Sequence, residues 1–548
     1  MNCGGDGHHD SGSFTREKEN LFTSFHFTLS SLPPAGSLCP SPRRSDGPRM
    51  TMPDDATAGL IFASDQANHN FARVLGDLRR SHLSITHRLH SICRDAAFVA
   101  DVAARYPDFS VVANERCGSW YIPVFSKAGS AYFKSTDGHT GQWKFSTRRL
   151  NLHILPLLCR DSPEKGGGCI LVDSTRRGKR MPDALSKTVP LWCCVLNRAL
   201  FPAHVPEGRN EAEQTDAQAL YTPPGVVSAS EHSQMLARVP AFVDALGGLG
   251  VFRLGEETDA DPIAWRRQNL PNDKPLRPVW VTPDMPWPNV DHLRDRFNVV
   301  LCCTSSRVPP TGEDVEDGVD ADYIQGAADD TENWAHGLTP ELFWANCEKL
   351  LDTPEADLPE MIAAIVKAGS ESAVSQGGAT FSATVITPHL SVGQWTGPSP
   401  PTAPEESSGV CQIAFVRQTT EPVTWVRSPT SLEVGLGKQD KIAGRTLRHA
   451  LSQICEFVAD FLMKDNGCSS IKSVRILCPT GRDISVGTAL ALLCYCFDES
   501  GKTRTATSHA TIVNKDVIRV RLARIMTAMP HANPSRTTLQ SVNSFLID

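Results

Sequence analysis

The sequence predicts an α/β protein of two domains: an N-terminal α/β domain with a mixed sheet and a C-terminal α/β domain built around a phosphate-binding loop. Two observations carry the α/β assignment. Apolar runs at Cys169–Val172 and Ser473–Leu477 have the length and composition of buried strands. Each runs into a polar turn, and each turn is followed by an apolar stretch long enough for a helix, the repeating unit of an α/β sheet. The third observation divides the chain. Thr396–Gly409 (TGPSPPTAPEESSG) is Pro/Ser-rich and reads as a linker. The expected domains are therefore 53–395 and 410–548, joined by 396–409.

Composition sets the bounds. A chain of 548 residues can bury a large core, and 40% hydrophobic with 21% charged residues is ordinary for a water-soluble protein. The net charge of −7 hides segregation. Lys127–Arg198 carries 13 Lys/Arg against 5 Asp/Glu, and Val410–Asp548 carries 17 against 11. Glu313–Glu332 has nine acids and no cation. Two basic regions in an acidic chain point to a polyanionic ligand held on particular surfaces. The 17 cysteines form no C-x2-C pair, which favours buried free thiols in a reducing compartment over zinc or disulfides. No apolar run reaches the ~18 residues of a membrane span. The first residues do not form a secretory signal, so the expected compartment is cytosol or nucleus, with a cytoplasmic protein and no membrane partner as the expectation.

Residues 1–52, rich in Ser, Pro, Gly and His, read as a disordered tail. Leu83, Ile85, Leu89, Ile92, Ala96, Val99 and Ala103 recur at helical spacing and predict a helix ending near Pro107. His87 and His90 lie on it without a third metal ligand nearby. Val111–Ala113 and Trp120–Ile122 are expected as short strands. Tyr132 and Phe133 lead into a loop with a turn at Asp137-Gly138. Ser146 or Thr147 could cap a helix carrying Arg148, Arg149 and Leu150. Lys134, Lys144, Arg148 and Arg149 bring cations to this hydroxyl-rich loop, which reads either as a phosphate or ribose site or as a polar hairpin.

Cys169–Val172 then empties into Asp173-Ser174-Thr175 and the turn Arg176-Arg177-Gly178-Lys179-Arg180. A helix follows from Pro182. A turn at that place in an α/β sheet is where ligands bind, and four cations suit phosphate. Leu200–Pro240 is polar with few signals. Val279–Val281 and Phe297–Cys303 are strands, the second ending at Thr304-Ser305-Ser306-Arg307. The acidic stretch, about 308–335, is expected to be a disordered, solvated loop. Leu338–Leu351 and Leu358–Val366 are helices, the first with Thr339 as N-cap and Pro340 at its first position.

In the second domain Val410–Val416 is a strand, Arg445–Met463 a helix, and the loop Cys478–Gly487 (CPTGRDISVG) follows the strand at 473–477. The loop resembles that of cysteine-dependent dual-specificity phosphatases, whose pattern is Cys, five residues, Arg, then Ser/Thr. Here Ile484 takes the place of that Arg, Arg482 comes two residues early, and Leu477 replaces the His that helps ionise the thiol. Ser485 does match. The expectation is a non-catalytic cradle of Cys478, Thr480, Gly481, Arg482 and Ser485 at a helix N-terminus. Lys515–Met526 is a basic amphipathic helix whose cations face either nucleic acid or solvent. Asn533 as N-cap and Pro534 start the last helix, next to Arg536.

Four blocks together resemble the initiator tRNA phosphoribosyl transferases of fungi and plants: Tyr132–His153, Val172–Leu200, Cys478–Gly487 and Asn533–Leu546. That resemblance implies a pentosyltransferase with a phosphatase-like C-terminal domain, using 5-phosphoribosyl-1-pyrophosphate as co-substrate. The phosphoribose goes to the ribose 2′-OH of the adenosine at position 64 of initiator methionine tRNA, whose T-stem phosphate then keeps it out of elongation. Such chemistry needs cations, normally with Mg²⁺, for the leaving pyrophosphate and a base for the 2′-OH proton. Arg176, Arg177, Lys179 and Arg180 would supply charge, with Ser174, Thr175 and Gly178 as hydrogen-bond donors to phosphate; the sugar donor sits either on these N-terminal loops or, conversely, in the C-terminal pocket with the tRNA on the basic N-terminal face. Lys134, Lys144, Arg148, Arg149 and Arg536 would contact RNA. Asp173 first, then Asp137 and Asp483, could be the base or an outer-sphere Mg²⁺ ligand. A monomer is expected. The rival functions are a cysteine-dependent phosphatase using Cys478 and a non-catalytic tRNA-binding adaptor.

Overall fold

The computed structural model describes residues 84–135, 141–159, 167–201, 216–252, 261–270, 272–309, 322–375, 380–397, 399–437, 441–464, 472–498, 501–504 and 513–547. All lie in one compact unit, Arg73–Asp548. The expected tail at 1–52 and Asp137 lie outside the described residues.

The first helix, α1 (Ile85–Arg105), buries Leu89, Ile92, Val99 and Val102 along one face, as the periodicity predicts. Its N-cap is Ser84, whose hydroxyl accepts from His87 N–H. The first sheet then has β1 (Ser110–Asn114), β2 (Gly129–Ala131), β3 (Gly168–Asp173), β4 (Leu276–Val281) and β5 (Asn298–Thr304). Their order is β2-β1-β3-β5-β4. Every neighbouring pair is parallel. The mixed sheet expected here is therefore wrong. β1, β3 and β5 are buried throughout, which is why they read as continuous apolar runs rather than alternating ones.

Three local expectations also change. Trp120 and Tyr121 lie in a 3₁₀ turn, Gly118–Tyr121, rather than a strand. Ser146 caps no helix: its hydroxyl and carbonyl accept from Arg149 N–H, closing a turn. The polar stretch after Leu200 holds a 19-residue helix. Between β3 and β4 lie α2 (Val189–Leu200), entered through a π-helical turn at Ala184–Thr188, then α3 (Ala229–Gly247) and α4 (Pro262–Asn269). After β5 come α5 (Pro340–Ala345), capped by Thr339 as predicted, α6 (Cys347–Leu351) and α7 (Leu358–Ser375).

The second sheet corrects the domain boundary. It contains β6 (Thr380–Thr387), β7 (Leu390–Thr396), β8 (Val410–Val416), β9 (Val426–Ser428), β10 (Ser431–Gly435) and β11 (Ser473–Cys478), in the order β6-β7-β11-β8-β10-β9. Because β6 and β7 precede the Pro/Ser-rich stretch, that stretch is a connection inside the C-terminal domain. The elements of the first sheet end with α7, and the second sheet begins with β6. A turn-rich composition marks a long loop as well as a linker, and only strand pairing tells them apart.

Helices α8 (Lys441–Met463), α9 (Ile484–Cys496), α10 (Lys515–Ala528) and α11 (Arg536–Ile547) complete this domain. Arg521 of α10 faces neither RNA nor water. It is buried and donates to the carbonyls of Leu493, Phe497 and Asp498, satisfying the C-terminal end of α9. Ala523 of the same helix packs into the core of the first sheet, so the two domains share a hydrophobic interface. Among the described residues no helix is long and apolar enough to cross a membrane.

Candidate active site

The strand order places a topological switch at β1 and β3, since the chain leaves β1 toward β2 and returns on the other side to β3. Ligands of open parallel sheets bind outside the carboxyl ends of strands at such a point. Asn114 ends β1 there, ahead of Glu115 and Arg116; Asp173 ends β3, ahead of Ser174, Thr175 and Arg176; Thr304 ends β5, ahead of Ser305 and Ser306.

Asp173 sits at the centre and is 0% exposed. Its Oδ2 accepts from Asn114 Nδ2 at 2.8 Å, and its Oδ1 from Ser174 N–H at 2.8 Å and from Cys117 Sγ at 3.2 Å. Arg116 pairs with the same Oδ1 at 3.2 Å. A carboxylate so enclosed is an anchor for Arg116. Ser174 and Thr175 are likewise buried, and Thr175 N–H donates to Ser306 Oγ at 3.1 Å.

The cationic turn divides its charges. Lys179 N–H donates to the Arg176 carbonyl at 3.3 Å, closing a turn whose central residues, Arg177 and Gly178, both have positive φ. That is the mirror-image turn that glycine makes possible. Arg176 turns inward, to Asp330 and to Asp329 at 3.6 Å. Arg177 and Arg180 are exposed and make no ion pair with a described residue. Lys179 and Arg180 line a cavity of about 660 Å³ with Trp143, Asp183, Lys187 and Glu231.

The acidic stretch is not wholly a solvated loop. Its first part lies outside the described residues, but 322–335 folds onto this site. Gln325 accepts from Gly178 N–H at 2.8 Å and donates to the Lys179 carbonyl at 2.9 Å. Gly326, at φ +69°, lies so close to Thr175 that a Cβ would meet the Thr175 carbonyl oxygen at 2.7 Å. Asp329 accepts from Arg116 Nη1 at 2.8 Å; burial pushes its pKa up, against the pull of Arg116 and Arg176. Arg88 of α1 holds the Ala327 carbonyl at 2.6 Å.

In the second domain Cys478 is fully buried. Its Sγ donates to Ser485 Oγ at 3.1 Å and accepts from Gly481 N–H at 3.1 Å. Thr480 and Arg482 are exposed at the mouth of the loop. Asp483 Oδ1 accepts from Ser535 N–H at 2.8 Å. Ser535, not Asn533, caps the last helix, its hydroxyl accepting from Thr538 N–H at 3.1 Å. Asn533 instead takes Arg149 from the other domain, at 2.9 Å. Arg149 also donates to the Pro530 carbonyl at 2.7 Å, and Arg148 to the Pro534 carbonyl at 2.9 Å. The Arg149 guanidinium lies 4.6 Å from the Tyr132 ring centroid. Burial and Glu115 raise the Tyr132 pKa, while Arg149 and Arg482 pull it down. Lys134, Lys144 and Arg536 are exposed.

The structure thus brings Asp173, Ser174, Thr175 and the cationic turn to one sheet edge, and Arg148, Arg149 and Arg482 to one interdomain seam. Asn114, Glu115, Arg116 and Asp329 escaped sequence reasoning because single polar residues beside short strands carry no pattern. A resident Mg²⁺ does not fit these residues. Asp173 and Asp329 are both taken by Arg116, and among the described residues no three His, Cys, Asp or Glu converge.

Comparison with known proteins bears on the whole chain. The family model for the Rit1 N-terminal domain matches residues 78–367, and that for the Rit1 DUSP-like domain matches 430–546. The tRNA A64-2′-O-ribosylphosphate transferase of Saccharomyces cerevisiae is 32% identical over 520 residues, covering 87% of this chain and 95% of that protein. An uncharacterized protein of Schizosaccharomyces pombe is 35% identical over 485 residues, covering 86% and 97%. Among solved structures, human DUSP28 aligns with 30% of this chain and 92% of its own at 14% identity and a TM-score of 0.19. With matches across both domains and nearly the full length of its relatives, the chain belongs to the Rit1 family, an N-terminal Rit1 domain followed by a DUSP-like α/β domain.

Proposed function

We propose that this protein transfers 5-phosphoribose from 5-phosphoribosyl-1-pyrophosphate to the ribose 2′-OH of adenosine 64 in the T-stem of initiator tRNA, which withholds that tRNA from elongation. The observation that carries the reading is similarity across 95% of the length of a tRNA A64-2′-O-ribosylphosphate transferase. The geometry supports it with two cationic surfaces. The donor's phosphates go to the turn at Arg177–Arg180 and its cavity, where Arg180 is unpaired among the described residues. The RNA backbone crosses the seam of Arg148, Arg149 and Arg482, with Lys134, Lys144 and Arg536 as outlying contacts. A-form RNA is met there through phosphates and 2′-hydroxyls.

As pyrophosphate leaves, positive charge grows on the sugar's C1 and negative charge on the departing oxygens. Guanidinium and ammonium groups fixed beforehand at the turn stabilise that separation. The protein acts as a monomer in the cytoplasm, a compartment in keeping with fourteen described cysteines that are all free.

The test is incubation with labelled donor, Mg²⁺ and either initiator or elongator tRNA. Label on initiator tRNA alone is expected; unlabelled initiator tRNA ends the reading. Alanine at Arg177 should raise the donor KM without weakening tRNA binding, and alanine at Arg482 should weaken tRNA binding. The reverse pattern moves the donor to the C-terminal loop.

A further inference from the structure

Five carboxylates of the site are already committed. Asp173 and Asp329 share Arg116, Asp330 holds Arg176, Asp483 holds Ser535 N–H, and Asp183 lies within 3.9 Å of both Lys179 and Lys187. Glu115 differs. It follows β1 directly at the topological switch, and its side chain is 27% exposed where Asp173 is sealed.

One of its oxygens is fixed and the other is open. Oε1 accepts from Ser119 Oγ at 2.9 Å and from Ser130 Oγ, with Lys127 Nζ at 3.5 Å. Oε2 makes no hydrogen bond or ion pair with a described residue. Three contacts on a single oxygen hold the carboxylate in one orientation while leaving its second oxygen available, the arrangement a proton acceptor needs. Glu115 N–H donates to the Ala131 carbonyl at 2.7 Å, next to Tyr132, whose ring lies 4.6 Å from the Arg149 guanidinium in the interdomain seam it shares with Arg148 and Arg482. A ribose of RNA lying along those cations would pass this carboxylate.

Resting on the transferase reading above, we propose that Glu115 accepts the proton of the acceptor 2′-hydroxyl. The C1–O bond to pyrophosphate breaks and pyrophosphate departs with the electron pair. The 2′-oxygen bonds to C1, and its proton passes to Glu115 Oε2. A carboxylate can serve here because a hydroxyl bonding to an oxocarbenium-like carbon becomes strongly acidic; inverting glycosidases activate water with carboxylates in this way.

The experiment compares wild type, Glu115→Gln and Glu115→Ala in single-turnover transfer to initiator tRNA. Glu115→Gln should lower the rate by about 10²–10⁴-fold. Donor KM and tRNA Kd should stay within about threefold, since the amide oxygen still accepts from Ser119 and Ser130. Formate should restore activity to Glu115→Ala by at least about tenfold, an effect a purely structural carboxylate would not produce. A Gln variant keeping more than about a tenth of the rate, or an Ala variant indifferent to formate, overturns the assignment while leaving the transferase reading intact. Wild-type protein that labels no tRNA overturns that reading and this inference together.

Discussion

Arg149, from the loop after β2, donates to Asn533 Oδ1 at 2.9 Å, just ahead of the last helix of the other domain. Asn533 N–H in turn donates to the Arg482 carbonyl at 2.7 Å, so the N-terminal domain grips the strand-to-helix loop of the DUSP-like domain through one residue. On the proposed reading, a donor at the Arg177–Arg180 turn and an RNA crossing this seam react only if this spacing is kept, because misplacement by about 1 Å can cost 10²-fold in rate.

Arg149→Ala should therefore act on both stability and transfer. Losing hydrogen bonds from a charged group costs on the order of 1.5–3 kcal/mol. Urea unfolding should shift by that much, and transfer should fall more steeply than donor binding. Unchanged transfer kinetics would show that the seam is not a working contact.

Arg116→Met should be more damaging than Asp173→Asn. The first strands a fully buried Asp173 carboxylate and also releases Asp329, a loss on the order of 3–5 kcal/mol. The second leaves an amide that Arg116 can still contact through its oxygen. Chemical denaturation of both variants ranks them, and an equal or reversed order rejects the anchoring role given to Asp173.

Cys478→Ser should leave phosphoribose transfer within about threefold of wild type, and neither form should hydrolyse an aryl phosphate. The thiol lies enclosed by Gly481 N–H and Ser485 Oγ, and Ile484 stands where the phosphatase loop carries its Arg. Transition-state charge on a phosphoryl group needs such a cation. Turnover abolished by Cys478→Ser would restore the phosphatase reading.

Acid should loosen the start of α1. Glu355 accepts from Ser84 Oγ and from the N–H groups of Ile85 and Thr86. Burial tends to raise its pKa, but the hydrogen bonds from Ser84, Thr86 and Ile85 outweigh it and bring the pKa from 4.5 down to about 2. A group depressed on folding stabilises above its unfolded value, and that contribution fades as pH falls from about 4.5 toward 2. Glu355 is exposed, so solvent screening keeps the effect to about 1 kcal/mol. Glu355→Gln should lower Tm at neutral pH and flatten the acid limb of the Tm–pH curve; parallel curves would rule the contact out as a source of stability.

Lys179→Ala with Arg180→Ala should raise donor KM about tenfold or more and leave tRNA Kd nearly unchanged. Both line the cavity beside Trp143 and Lys187, away from Arg149 and its partners at 530–533. Filter binding of tRNA alongside the kinetics separates the two effects, and a loss confined to tRNA affinity would move the turn to the RNA surface.

Much of this site was legible beforehand, and the reason is local. Cys169–Val172 is apolar without alternation because both faces of a central parallel strand are buried. Its strand end at Asp173 and the turn at Gly178 follow from the same few residues. The loop at Cys478 was legible likewise, since its glycine and hydroxyls sit within ten positions. Glu115 and Arg116 were not, because their importance comes from a strand order that no local pattern encodes.

By itself the sequence determined the central strands of both sheets, the two strand-to-helix turns and the family, all properties of contiguous side chains. Tertiary structure alone decided that β6 and β7 belong to the second sheet. It also decided that Asp329 and Asp330 neutralise Arg116 and Arg176 from a stretch that looked solvated, and that Arg149 spans to Asn533 across 384 positions. Charge pairing and strand pairing are made between segments far apart in the chain, and their partners exist only once the chain has closed.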